Sequence, residues 1–288
     1  MNILWFGDPA CQDVLLVGAK ATNLSRLAAD FCVPEGFCIT TRAYEDAVGD
    51  ADPQDGPLLS EALREEITEA YIKLGVQCGS DELPVAVRSS GLGEDSSGAA
   101  FAGVHDTFLN VRGASRVLSA VADCWRSASS PIALHYRQRQ GLGTQPVKIA
   151  VVVQRLVPAD ASAVVFSANP VTGSRDEVMI NASWGLGESI VAGTVTPDTF
   201  IVRKPQTLTS SDIAEKECMT VLAGAGTREV DVPPHLRLRP SLTPEQIIET
   251  ARLAGELELH MGWPVDLECA YHESKLYLLQ CRPITTLK

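Results

Sequence analysis

Two short segments near the C-terminus carry polar side chains where a strand pair packed on both faces would be apolar: Val265-Asp266-Leu267-Glu268-Cys269 and Leu278-Leu279-Gln280-Cys281-Arg282-Pro283. Successive strand residues leave opposite faces, so Asp266 and Glu268 share one face while Val265, Leu267 and Cys269 share the other. Gln280 and Arg282 alternate in the same way with Leu279 and Cys281. The spacing predicts a hairpin with Glu268 opposite Gln280 and Asp266 opposite Arg282. Its loop has three or five residues, or a bulge restores the phase. Buried ionic groups persist only when paired or when they coordinate something, so this face is expected to meet a metal or a phosphate. The alternative is an exposed hairpin with a solvated ion pair.

A second source of chemistry is Val87-Arg88-Ser89-Ser90-Gly91-Leu92-Gly93-Glu94-Asp95-Ser96-Ser97-Gly98, a glycine- and serine-rich stretch that follows a strand. Glycine lets backbone amides approach phosphate closely, and Arg88 supplies a forked cation. The segment is neither a P-loop nor a dinucleotide-binding fingerprint, and a plain surface loop is the competing reading. Lys20 lies two residues after Gly18 near a helix start, where the helix dipole disfavours a cation and a phosphate would welcome one. Trp184-Gly185-Leu186-Gly187-Glu188, with Gly193 and Pro197-Asp198, forms another glycine-bearing strand exit, read first as a tight turn anchored by Trp184. The five histidines show no metal-ligand spacing. No G-x-S-x-G or H-E-x-x-H motif occurs, which excludes hydrolase triads and zincins of those types.

Elements must hold these groups in place. Helical periodicity covers residues 19–29, 58–74, 115–127 and 131–139, and Thr243-Pro244-Glu245-Gln246 opens a helix to Met261 with a capping box. Strand patterns cover 85–87, 107–111, 149–153, 163–166, 178–181 and 199–202. Residues 33–37 read as a loop, and 205–242 as a polar, poorly patterned excursion. The breaker-rich segment 141–146 is the expected lobe boundary, giving an N-terminal lobe over 1–145 and a β-rich C-terminal lobe over 146–288. A length of 288 residues suits two lobes, and 45% hydrophobic with 21% charged residues marks a globular chain. The 24 basic and 36 acidic residues give a net charge of -12 without any basic run, which argues against nucleic acid as a partner. The eight scattered cysteines read as reduced packing residues, and no apolar run is long enough for a membrane helix, so a cytoplasmic protein with no membrane partner is expected.

Taken in order, Val17-Gly18-Ala19-Lys20-Ala21-Thr22-Asn23-Leu24, Val33-Pro34-Glu35-Gly36-Phe37, Val87-Arg88-Ser89-Ser90 with Phe101-Ala102-Gly103, Trp184-Gly185-Leu186-Gly187-Glu188 and Leu279-Gln280-Cys281-Arg282-Pro283 resemble one family. It is the nucleotide-binding domain of phosphoenolpyruvate synthase, pyruvate phosphate dikinase and rifampin phosphotransferase. The resemblance runs from about residue 14 to 286. It implies an α+β ATP-grasp fold with ATP and magnesium held between two lobes. It assigns Lys20 and Arg88 to the phosphates, Ser89, Ser90, Gly91, Gly103 and Thr107 to the glycine loop and its flanks, and Gln154 with the backbone through Val157 to the adenine side. Glu268 and Gln280 become the magnesium ligands, with Asp266 beside them, and Arg282 the stabiliser of transferred phosphate charge. Lys20, Arg88 and Arg282 are thus the expected catalytic residues. Departures are Ser90-Gly91-Leu92-Gly93 in the loop, Val104-His105 in place of a usual glutamine, and Ala163 and Ser167 where glycine and threonine are common.

Full-length relatives carry a swivelling domain with a phosphorylatable histidine, and no histidine here stands in that context. The resemblance therefore implies a Mg-ATP phosphotransferase component that passes phosphate to a histidine on a separate or missing domain, with AMP as the eventual nucleotide product. Pyruvate or an antibiotic would be a final acceptor. A direct ATP-dependent small-molecule kinase and a non-catalytic ATP-sensing module are the alternatives, and a carboxylate-amine ligase is a weaker third.

Overall fold

The computed structural model describes residues 1–49, 59–91, 107–127, 148–285 and 287. The chain divides into two compact units, Met1–Leu156 and Val157–Lys288. Both mix helix and sheet, so the fold class is α+β.

The first unit is built on an antiparallel sheet of β1 (Ile3–Trp5), β2 (Gly36–Ile39), β5 (Ile149–Arg155), β3 (Val85–Gly91) and β4 (Thr107–Val111), in that spatial order. Strand alternation gives it two buried faces. Phe37, Ile39, Val85, Val87, Ile149, Val151 and Val153 pack with residues of α2 (Thr41–Gly49), α3 (Glu61–Cys78) and α4 (Ala114–Ser127). Cys38, Ala150 and Val152 face the other way, onto Val17 and Ala21 of α1 (Val14–Leu27). Local rules set the helix ends: Ser60 caps Leu63 N–H at the start of α3, and left-handed Gly79 ends it. Asp13 caps Leu15 N–H in α1, which is broken at Gly18 by φ 73° and ψ 166°.

The second unit holds a six-stranded sheet ordered β13 (Lys275–Pro283), β12 (Val265–His272), β6 (Ala161–Phe166), β7 (Glu177–Trp184), β8 (Asp198–Arg203) and β9 (Thr207–Asp212). Helix α6 (Pro244–Met261) covers one face; Tyr271 Oη reaches Gln246 O and Glu249 Oε2, each at 3.0 Å. The predicted capping box is present, with Thr243 Oγ1 accepting from Gln246 N–H and Gln246 Oε1 accepting from Thr243 N–H. Short α5 (Glu188–Val191) and a two-stranded ribbon, β10 (Cys218–Leu222) with β11 (Thr227–Asp231), complete the unit.

Several expectations change. Strand β5 follows the segment read as a lobe boundary, yet it lies at the centre of the first sheet between β2 and β3. That pairing is long-range and leaves no local mark. Residues 205–242 contain β9, β10 and β11; β9 is exposed at every residue, so it lacks the alternation by which strands are read. Gly36 and Phe37 open β2 instead of belonging to a loop. The predicted helix at 131–139 and the boundary segment 141–146 lie outside the described residues. Among the described residues, no helix is long and apolar enough to cross a membrane.

Candidate nucleotide and phosphate site

The first unit brings α1 unusually close to β3. A Cβ on Gly18 would lie 2.2 Å from the carbonyl oxygen of Ser90, so only glycine fits there. The gap is closed by Ser90, whose Oγ donates to Val17 O at 2.8 Å and accepts from Ala21 N–H at 3.2 Å. Lys20 follows two residues after Gly18, and its Nζ donates to Ser89 O at 3.1 Å. Half-buried Arg88 shares the face of β3 that carries Ser90, and pairs with Thr107 on β4. Gln154 lies opposite Ala86 on the same face, buried, with its Nε2 on Pro34 O at 3.3 Å. Lys20, Arg88, Ser90, Thr107 and Gln154 thus belong to one side of one sheet. Ser89 and Gly91 are buried in β3, and Gly103 lies outside the described residues.

In the second unit the hairpin has the predicted register, with Asp266 opposite Arg282 and Glu268 opposite Gln280. Of the expected alternatives, the bulge is the one realised, in place of a three- or five-residue loop. Only Glu273 and Ser274 turn the chain, both at positive φ (48° and 64°), the signature of a type I′ turn. The phase is then restored by a bulge, with Cys269 opposite Leu278 and Leu279 as the extra residue. Arg282 Nε donates to Asp266 Oδ2 at 2.8 Å, and the Asp266 side chain is only 10% exposed. That bond fixes the guanidinium in its rotamer. Gln280 is buried and Glu268 half-buried, on the sheet face away from α6. Val157 packs on this face with Ala270 and Tyr277. On the helix side, burial and the neighbouring Glu268 carboxylate push the Cys269 thiol up to about 12, which makes it an inert packing group.

The donor set suits magnesium: one carboxylate and one amide oxygen in facing positions, to be completed by phosphate oxygens and water. Among the described residues no three His, Cys, Asp or Glu side chains are grouped to hold a metal by themselves. The Trp184–Gly187 turn is structural. A Cβ on Gly185 would lie 2.4 Å from Thr220 O, and Trp184 Nε1 donates to Leu236 O at 3.1 Å, so this turn docks the β10–β11 ribbon. Asp198 and Lys216 form a fully buried ion pair at 2.5 Å, with Ser241 N–H and Oγ also donating to Asp198. Sequence reasoning overlooked Asn181 and Thr199, which stand on the same face as Glu268. Alternation of Asn181 with Ile180 and Ala182 was the available signal.

Residues 56–288 match the pyruvate phosphate dikinase AMP/ATP-binding domain family. The chain therefore belongs to that family of ATP-binding domains. Among its relatives, a probable phosphoenolpyruvate synthase of Methanocaldococcus jannaschii is 39% identical over 99% of this chain and 27% of its own length. Phosphoenolpyruvate synthase of Pyrococcus furiosus is 38% identical over 99% of this chain and 44% of its own length. A rifampicin phosphotransferase of Streptomyces is 35% identical over 94% of this chain and 34% of its own length. The chain thus spans between about a quarter and a half of the curated relatives it matches. Solved structures overlap it only loosely; the match to D-alanyl-alanine synthetase A from Vibrio cholerae covers 93% of this chain and 58% of that one at 11% identity, with a TM-score of 0.37.

Proposed function

We propose that this chain is the ATP-handling component of a phosphotransferase of ATP-grasp type. It takes up Mg-ATP and passes the β-phosphate to a histidine on another domain or polypeptide, for onward transfer to a small acceptor, with AMP as the eventual nucleotide product and the γ-phosphate released to water as inorganic phosphate. The observation that carries the reading is the hairpin register, which sets a carboxylate against an amide and a carboxylate-held guanidinium beside them. Family membership supports the ATP assignment, and the names of the relatives support phosphoryl transfer.

Phosphoryl transfer asks a protein mainly for positioning and for charge neutralisation. Glu268 and Gln280 would hold magnesium by their oxygens, and the bound ion would neutralise charge on the phosphate chain. Lys20 and Arg88 supply first-unit cations for the phosphates. Arg282, held by Asp266, presents its guanidinium to the group in transit. Gln154 and Val157 belong to the adenine side. The protein is placed in the cytoplasm, on the reading of its cysteines as reduced packing residues.

The test supplies a separately expressed phosphocarrier domain and follows label from the β-phosphate of ATP. Label on the carrier histidine with AMP released is the expected result. ADP as the sole product, with no carrier required, would replace this reading by that of a direct small-molecule kinase. Arg282→Ala is expected to lower transfer by about 10²- to 10³-fold while an inert ATP analogue still binds. Glu268→Ala is expected to abolish the magnesium dependence of that binding. Wild-type turnover in both variants would overturn the catalytic assignment of Arg282 and Glu268, whereas a wild type that binds the analogue but transfers no phosphate would leave the chain as a sensing module.

A further inference from the structure

The open face of the second sheet carries polar groups beyond the hairpin. One row of cross-strand neighbours runs Gln280, Glu268, Val164, Asn181, Thr199 over β13, β12, β6, β7 and β8. Val164, Asn181 and Thr199 are all half-buried, so this part of the row is reachable by a ligand. Thr199 Oγ1 donates to Asn181 Oδ1 at 3.0 Å, which occupies the amide oxygen and turns the NH2 group away from Thr199. Asn181 Nδ2 has no partner among the described residues. A second observation comes from the same strand and face. Ser183 Oγ, fully buried, also lacks a hydrogen-bond partner among the described residues. A fully buried hydroxyl left unpaired is rare in native proteins, and the half-buried Asn181 amide is placed to exchange water for a ligand.

From this arrangement we infer that Asn181, oriented by Thr199, is a ligand-binding residue that donates a hydrogen bond to the phosphate chain of the nucleotide. The inference rests on the proposed nucleotide function and deepens it. Two strand spacings of about 4.8 Å separate the backbones of Glu268 and Asn181, and only Val164 stands between. A phosphate chain held at Glu268 and Gln280 is therefore flanked on its β7 side by an amide whose free group is a donor. Anionic oxygens accept from such a group. Asn181 binds and positions here; no bond is made or broken at it.

Affinity for an inert Mg-ATP analogue is to be measured by calorimetry, and for magnesium tripolyphosphate by competition against that analogue, in wild type, Asn181→Ala, Asn181→Asp and Thr199→Val. Asn181→Ala is expected to bind both ligands about 10- to 100-fold more weakly, the effect of removing one hydrogen bond to a charged group. Asn181→Asp keeps the acceptor for Thr199 but sets a carboxylate against phosphate, so its loss is larger still. Thr199→Val releases the amide and gives a smaller loss. Apo unfolding midpoints stay at the wild-type value. Wild-type affinity in Asn181→Ala overturns the inference, as does a loss for the ATP analogue without one for tripolyphosphate, or a loss that only follows a fall in apo stability. A folded wild type that binds neither ligand sinks the nucleotide reading itself, an outcome separate from these.

Discussion

Gly18→Ala isolates the contact that joins α1 to β3 in the first unit. At φ 73° and ψ 166° the backbone occupies a region that side-chain-bearing residues enter only at a cost of about 1–3 kcal/mol. The added Cβ would also meet Ser90 O at 2.2 Å and Ser90 Oγ at 2.5 Å, so α1 and β3 must part. Parting them loses two hydrogen bonds of Ser90, to Val17 O and from Ala21 N–H, at about 1 kcal/mol each. The expected destabilisation is roughly 3–5 kcal/mol, a large share of the 5–15 kcal/mol typical of a domain. Gly79→Ala is the control. Gly79 also has positive φ (71°), but nothing lies within 4 Å of its Cβ position, so it should lose only about 1–2 kcal/mol. Urea unfolding of both variants supplies the numbers, and a calorimetric titration with an ATP analogue reports whether Lys20 keeps its place. Ser90→Gly should not rescue Gly18→Ala, because the nearest obstacle is a backbone oxygen. Equal losses in the two glycine variants, or rescue by Ser90→Gly, would refute the reasoning.

The turn at Glu273-Ser274 uses residues that dislike positive φ, so Glu273→Asn with Ser274→Gly is expected to stabilise the second unit by about 1 kcal/mol in thermal unfolding. Thr243→Ala removes the capping box of α6 and should cost about 1 kcal/mol in the same assay. Lys216→Met leaves Asp198 buried without its cation, a loss of about 3–5 kcal/mol; a denaturation midpoint equal to wild type would show the pair to be dispensable. Burial raises the thiols of Cys11 to about 11 and of Cys269 to about 12, against 9.0 ordinarily. Their unfolded forms ionise first, so this contribution to stability is complete below pH 9 and falls as pH climbs through 11. Unfolding midpoints at pH 8 and pH 10.5 should therefore converge in a Cys11→Ala, Cys269→Ala variant relative to wild type.

The parts of the fold that were legible in the sequence are those whose signal is local. The α6 capping box needs only Thr243 and Gln246, and the hairpin register needs only the alternation of 265–269 and 280–283. What escaped was either non-local or unpatterned. Strand β5 is apolar on both faces, so nothing in residues 149–155 says which sheet it enters. Strand β9 is polar throughout because both of its faces are exposed. The bulge was among the readings left open, but the two-residue turn itself carried no mark, because glycine is the usual sign of positive φ and here Glu273 and Ser274 adopt it instead. Arg88 and Lys20 were found as single residues; that Ser90 joins their strand to α1 through Val17 and Ala21 emerges only from the packing.

The spare residue in β13 separates two properties of the hairpin that usually move together. Between the turn and the bulge, partners follow the count set by the two-residue tip; beyond it they follow the count set by Glu268 and Gln280. Removing Leu279 would merge the two counts without reassigning a partner, since Cys269 already faces Leu278 and Glu268 already faces Gln280. Removing one residue between 280 and 282 would turn the next side chain toward α6. The tip and the Glu268–Gln280 end of this hairpin can therefore vary in length independently, and position 279 is where a deletion disturbs the register of Glu268 and Gln280 least.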